Sequence, residues 1–153
     1  MSQIYSIVYR PDGVEEKPDD HFSRVPLQET ALIAGYGIEG DRKGGHPDRH
    51  LNIMSYEALA QIAEKGFKVA PGQMGEQIIV KGIDVMTLPS GSHVQIGDAA
   101  VFEVVKTRSG CDRFEHIQGK PREEAASSIG VMARVIVSGT IRVGDTVRVL
   151  QEA

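Results

Sequence analysis

Val94-Gln-Ile-Gly-Asp-Ala-Ala-Val-Phe-Glu-Val104 and Ile141-Arg-Val-Gly-Asp-Thr-Val-Arg-Val-Leu150 repeat one pattern: strand formers, a Gly-Asp turn, then strand formers again. Val, Ile and Phe suit the half-buried surface of a pleated strand, and Gly-Asp supplies turn chemistry, so each stretch is expected to form a β-hairpin. Shorter strand-like runs surround them at Ile4–Tyr9, Ala31–Ala34, His50–Met54, Gln77–Val80 and Val131–Val137. Arg10-Pro-Asp-Gly13 supplies a turn after the first, and Val14–Glu29 reads as a surface connection with one short strand near Phe22–Val25. Only two helical stretches interrupt. Ser55 is placed to cap a helix reaching about Lys65, with Tyr56, Leu59, Ala60 and Ala63 on one face and Gly66 past its end. Pro121–Ser128 reads as a second short helix with Pro near its first position. The expected fold is therefore mainly β: a barrel of short, mostly antiparallel strands with a few short helices.

The chain has 153 residues, 41% hydrophobic and 25% charged. That suits one domain over residues 1–153, long enough to bury most of its unfolded surface, and no composition shift marks a boundary. A formal charge of −4 argues against a general nucleic-acid binder, which carries a basic surplus. No apolar run approaches the roughly 20 residues of a membrane helix, and Met1-Ser-Gln-Ile-Tyr-Ser6 lacks the basic-then-apolar order of a signal peptide. A soluble cytoplasmic protein is expected.

Cys111 is the one thiol, so it has no internal disulfide partner. Gly110 precedes it and Arg108 and Arg113 flank it, and nearby positive charge favours the thiolate, the form that attacks and binds metal. The plain alternative is a small buried hydrophobe. The other candidate region is Gly35–His50, where five glycines and a proline exclude a regular element and Arg42, Lys43 and Arg49 join His46 and His50 in the most basic window of the chain. Glycine-rich turns present backbone N–H groups to anions, and arginine adds bidentate donors for phosphate or carboxylate. The glycine spacing fits neither a Walker loop nor a dinucleotide fingerprint. Pro47 argues against the helix that would align His46 and His50 as a metal pair. Glu76, at a loop-to-strand junction, is a candidate general acid or base, or else a hydrogen-bonded structural carboxylate.

Four motifs occur in order: Gly37-Ile-Glu-Gly-Asp-Arg42, Pro71-Gly-Gln-Met-Gly-Glu76, Leu88-Pro-Ser-Gly-Ser-His-Val-Gln-Ile-Gly-Asp98 and Arg108-Ser-Gly-Cys111. From about Ala31 to Leu150 the chain resembles the MOSC domain, the module related to the C-terminal part of molybdenum-cofactor sulfurases. The resemblance implies a mainly β, barrel-like fold and a functional cysteine at Cys111. In members that are reductases it implies a molybdenum cofactor of the molybdopterin type, with Cys111 as metal ligand, Arg42 and its neighbours at the cofactor's anionic end and Glu76 in the pocket wall. Two positions depart from the family's common pattern: Gln77 stands where Asn is usual, and Gly110 where Pro is usual. The first alters a pocket hydrogen bond, and the second is expected to loosen the turn that presents the sulfur. The chain also stops soon after the last strand pattern, without the longer extension some relatives carry.

Three functions follow as expectations. The first is a molybdenum-dependent reductase of N-hydroxylated small molecules, with Cys111 and Glu76 catalytic and Arg42, Lys43, His46, Arg49 and Arg108 holding the cofactor. One cysteine cannot build a four-thiolate iron–sulfur cluster and no Rossmann fingerprint is present, so a separate electron-donor protein is expected. The second is a sulfur carrier with a persulfide on Cys111. The third is a module that binds or delivers the cofactor without turnover.

Overall fold

The computed structural model describes residues 2–14, 21–125 and 129–153. Among the described residues eleven strands and two α-helices are formed: β1 (Gln3–Tyr9), β2 (Val25–Leu27), β3 (Glu29–Ile33), β4 (Gly37–Ile38), β5 (Leu51–Ser55), α1 (Tyr56–Ala63), β6 (Ile78–Lys81), β7 (His93–Ile96), β8 (Ala100–Thr107), α2 (Asp112–Gln118), β9 (Val131–Val137), β10 (Gly139–Arg142) and β11 (Val147–Gln151). Eight strands make one sheet in the order β11-β7-β8-β9-β5-β6-β1-β2, and β10-β3-β4 make another. Every pairing is antiparallel except β5 with β6. A parallel pair needs a crossover, and α1 lies in the segment that provides it.

The strands form where period-two burial demands them. Ala100, Phe102 and Val104 on β8, and Val131, Ala133 and Val135 on β9, are buried while their neighbours are not. These side chains join Ile4, Ile7, Leu32, Ile38, Leu51, Ile53, Ile78, Val80, Val94 and Ile96 in the main core. Met54 of β5 and Ile79 of β6 belong instead to a second core, with Leu59 and Ile62 of α1 and Phe114 of α2. Phe114 stacks on Phe67 with ring centroids 5.9 Å apart. Truncating such an aromatic to alanine costs about 3–5 kcal/mol. The candidate site forms beside this second core.

The hairpin at residues 94–104 forms as expected, with His93–Ile96 paired to Ala100–Glu103. The expected hairpin at residues 141–150 does not form. Its first strand, β10, pairs with β3, and its second, β11, pairs with β7 in the other sheet. The Gly144-Asp145 corner is drawn off by β1: Gly144 N–H donates to the Ile4 carbonyl at 2.8 Å and Ile4 N–H to the Asp145 carbonyl at 2.9 Å. One isolated bridge, Gln3 opposite Thr146, brings β1 to the start of β11. A single bridge is not a ladder, so one mixed and one antiparallel sheet are established and a closed barrel is not.

The helices also differ from expectation. Ser55 makes no capping bond, and its hydroxyl is buried without a partner among the described residues. The segment at residues 121–128 shows only a single 3-10 turn, Arg122–Glu124, and residues 126–128 lie outside the described residues. The strand expected near Phe22–Val25 lies at Val25–Leu27. Helix α2, directly after Cys111, was not anticipated. No helix among the described residues is long and apolar enough to cross a membrane.

Candidate functional site

Cys111 occupies the position just before α2, exposed, with its carbonyl accepting the Glu115 N–H at 2.9 Å. Its approach is fixed by Arg122, which donates from Nη1 to the Gly110 carbonyl at 3.0 Å, from Nη2 to Asp112 at 2.7 Å, and from Nε and Nη2 to the two Glu115 carboxylate oxygens at 3.0 Å each. These bonds hold the Glu115 carboxyl at about 2, far below its ordinary value. Gly110 does not loosen this turn. It is buried, and a Cβ there would lie 2.7 Å from Phe114 and 2.8 Å from Arg122.

The thiol opens on a cleft of about 330 Å³ whose lining includes six cations: Arg10, Arg24, Lys43, Arg49, Arg108 and Arg113. No carboxylate is among the described lining residues. Backbone carbonyls position Arg108 and Arg24. Arg108 donates from Nη1 to the Met74 carbonyl at 2.8 Å, and Arg24 from Nη2 to the Gly75 carbonyl at 3.0 Å. Gly75 is essential to this approach: its φ is +83°, and a Cβ would meet Arg108 Nη2 at 2.7 Å. Phe22 lies under both Arg24 and Arg113, whose guanidinium carbons are 5.6 and 5.9 Å from its ring centre.

The buried carboxylates stand behind this lining. Glu76 is 1% exposed and accepts the Gly72 N–H at 2.6 Å and the Met74 N–H at 3.2 Å, so it holds the loop whose carbonyls position Arg24 and Arg108. Burial raises its carboxyl above the ordinary range, against the pull of the Gly72 N–H, its own backbone N–H, Arg108 and Arg24. Asp41 is wholly buried and accepts the Arg10 and Lys43 backbone N–H groups at 3.1 Å each. Gln77 links it to β5: Nε2 donates to Asp41 at 3.3 Å, and Oε1 accepts the Asn52 N–H at 2.8 Å. The longer amide at this position thus braces the basic loop from behind.

Crowding cations in a partly dry cleft is unfavourable without an anion. Burial lowers the pKa of Arg24 and Lys43, and lowers Arg108 to about 10 even though Glu76 and Cys111 oppose the fall. Lys43 is lowered further by Arg24, Arg49 and Arg10. Such concentrated charge suits a phosphate or other anionic group near the thiol.

The structure therefore brings Cys111, Arg108, Lys43 and Arg49 together around one space. Glu76 sits behind it, while Arg42 points to Asp12 at 2.5 Å and His46 is exposed, its Nδ1 accepting the Asp48 N–H at 3.1 Å. His50 is buried, and its Nδ1 accepts the Val135 N–H at 3.0 Å. Sequence reasoning missed Arg10, Phe22, Arg24 and Asn52. Arg10 read as a turn residue, Phe22 and Arg24 lay in a stretch without periodicity, and Asn52 read as the polar member of a strand alternation. Among the described residues no three His, Cys, Asp and Glu side chains could hold a metal, so Cys111 offers one protein ligand and any metal here needs the rest from a cofactor.

This chain belongs to the MOSC domain family, whose model matches residues 40–148. It is similar in structure to YuaD from Bacillus subtilis, at 21% identity and a TM-score of 0.75 over 97% of this chain and 96% of that one. It is likewise similar to YiiM from Geobacillus stearothermophilus, at 20% identity and 0.73 over 99% and 76% of the two chains. YiiM from Escherichia coli matches at 20% and 0.70 over 99% and 71%. At such identities the likeness is one of fold. No curated protein sequence matches.

Proposed function

We propose that this protein binds a molybdopterin-type molybdenum cofactor in the cationic cleft and reduces N-hydroxylated small molecules, with Cys111 as the metal ligand. The observation that carries this reading is the pairing of one exposed thiol with six cations, and no described carboxylate, around a single space. The donor chemistry fits: a soft thiolate suits molybdenum, and Arg24, Lys43, Arg49 and Arg108 suit a phosphate. When bound, the cofactor supplies the two-electron chemistry that takes oxygen from the substrate. The chain contributes position and charge. Arg122 fixes the Gly110 carbonyl and so the direction of Cys111. Glu76 holds the loop that aims Arg24 and Arg108, acting through them rather than on the substrate. A separate electron-donor protein completes the cycle.

The test is protein made in a host that synthesises the cofactor. Bound molybdenum and pterin are expected, with reduction of a hydroxylamine panel when an electron donor is supplied, and both metal and turnover should fall at least about tenfold in Cys111→Ser. No metal and no turnover across the panel would sink the reading. The exposure of Cys111 favours a second one, sulfur carriage, because a partner can reach the thiol. One extra sulfur in the intact mass, absent from Cys111→Ser, would establish that instead.

A further inference from the structure

Asn52 is the polar side chain of the cleft that its surroundings leave unserved. Its backbone is fully committed: the N–H donates to Gln77 Oε1 at 2.8 Å, and the carbonyl accepts the Gln77 N–H at 2.9 Å. Its neighbours Leu51 and Ile53 enter the main core, so strand alternation turns Asn52 to the opposite face, where it lines the cleft. The residue is 5% exposed, and its carboxamide oxygen has no hydrogen-bond partner among the described residues. Arg24 Nε in the same lining also has no hydrogen-bond partner among the described residues. An unpartnered buried amide is costly, and leucine has nearly the same shape without that cost. The terminal amide torsion is soft, so the oxygen can turn toward an incoming donor.

We propose that Asn52 is the hydrogen-bond acceptor by which this cleft selects its ligand, taking an N–H donor on a molecule whose anionic end is held by Arg24, Lys43 and Arg108. The ligand class is an anion carrying an amide, amidine or nitrogen-heterocycle N–H, which covers both a pterin phosphate and an anionic substrate. The inference rests on the cleft being the ligand site. It does not require that the ligand be molybdopterin.

The test is calorimetric titration of the whole chain and its Asn52→Leu variant with pyrophosphate, pterin phosphate, 4-carbamoylphenyl phosphate and the N,N-dimethyl form of the last. We expect the parent to prefer the carbamoyl compound over its dimethyl form by about tenfold, the variant to lose that preference, and pyrophosphate affinity to stay within about twofold. Melting of the ligand-free variant should be no lower than the parent's, because the orphaned amide is gone. A preference that persists in the variant, no preference in the parent, an equal loss for pyrophosphate, or a lower melting temperature would each overturn the proposal. Pterin phosphate separates the two readings. If it binds parent and variant alike, the cofactor reading stands and the role of Asn52 falls. If it binds neither while the carbamoyl preference behaves as expected, Asn52 stands and the cofactor reading falls.

Discussion

Gly110 shows how one residue can set the position of the thiol. A Cβ at this position lands within 2.8 Å of both Phe114 and Arg122, and Phe114 is wholly buried in the second core. Neither neighbour yields freely, since the ring is packed and Arg122 is tied to Glu115, Asp112 and the Gly110 carbonyl. Gly110→Ala is therefore expected to cost about 1–3 kcal/mol, the usual range for overpacking, read as a lower urea midpoint with an unchanged slope. The rate at which Cys111 reacts with a thiol reagent should change as well, because the same shift moves the chain next to the sulfur. The sequence showed that Gly110 departs from the family's Pro but not what surrounds it. Phe114 and Arg122 arrive through α2 and the turn after it, and no local pattern near Gly110 announces them.

At the scale of the element, α2 and the Arg122 turn form one unit around the cysteine. Arg122 holds the Glu115 carboxyl at about 2, well below the ordinary carboxylate value of about 4.3. A carboxyl depressed in the folded state stabilises that state at pH above its unfolded value, and the contribution is lost as pH falls through about 2. The parent should thus lose melting temperature between about pH 4 and pH 2 more steeply than Glu115→Gln, whose curve should flatten in that window. The two curves should converge at the acid end, and parallel curves would assign the acid sensitivity to other groups. The exposure of the pair keeps the effect small. Helix α2 was legible in principle. Phe114 and Ile117 are spaced for one face, and Gly119 follows in the left-handed conformation that ends helices. Cysteine is not a usual N-cap, so no capping signal marks where the helix starts. The repeat at residues 94–104 and 141–150 failed in a different way. Local turn chemistry is the same in both, and only the distant strands β1, β3 and β7 decide which copy closes on itself.

The whole molecule carries a net charge of −4, yet it gathers six cations around one cleft drawn from four separate stretches of chain. The basic loop and the cysteine stretch could be read from composition. That they meet, and that Arg10 and Arg24 join them, depends on the pairing of β1 with β6 and on the carbonyls of the Gly72–Glu76 loop. If the cleft is built for an anion, its affinity must follow the charge of Lys43, the lysine among its six lining cations. Lys43 is lowered by burial first and then by Arg24, Arg49 and Arg10, with Asp41 opposing. An anion stabilises the ammonium, so binding takes up a proton wherever free Lys43 has begun to lose its own. Affinity for sulfate, a dianion throughout this range, should accordingly be flat through neutral pH and begin to fall at pH below the ordinary lysine value of about 10.5. Lys43→Met should bind sulfate more weakly at neutral pH and lose the alkaline decline. Added salt should weaken binding in both proteins, and less steeply in the variant, because one fewer charge attracts the anion. A Lys43→Met protein that kept the full alkaline decline would show that the cleft's charge is set by another residue.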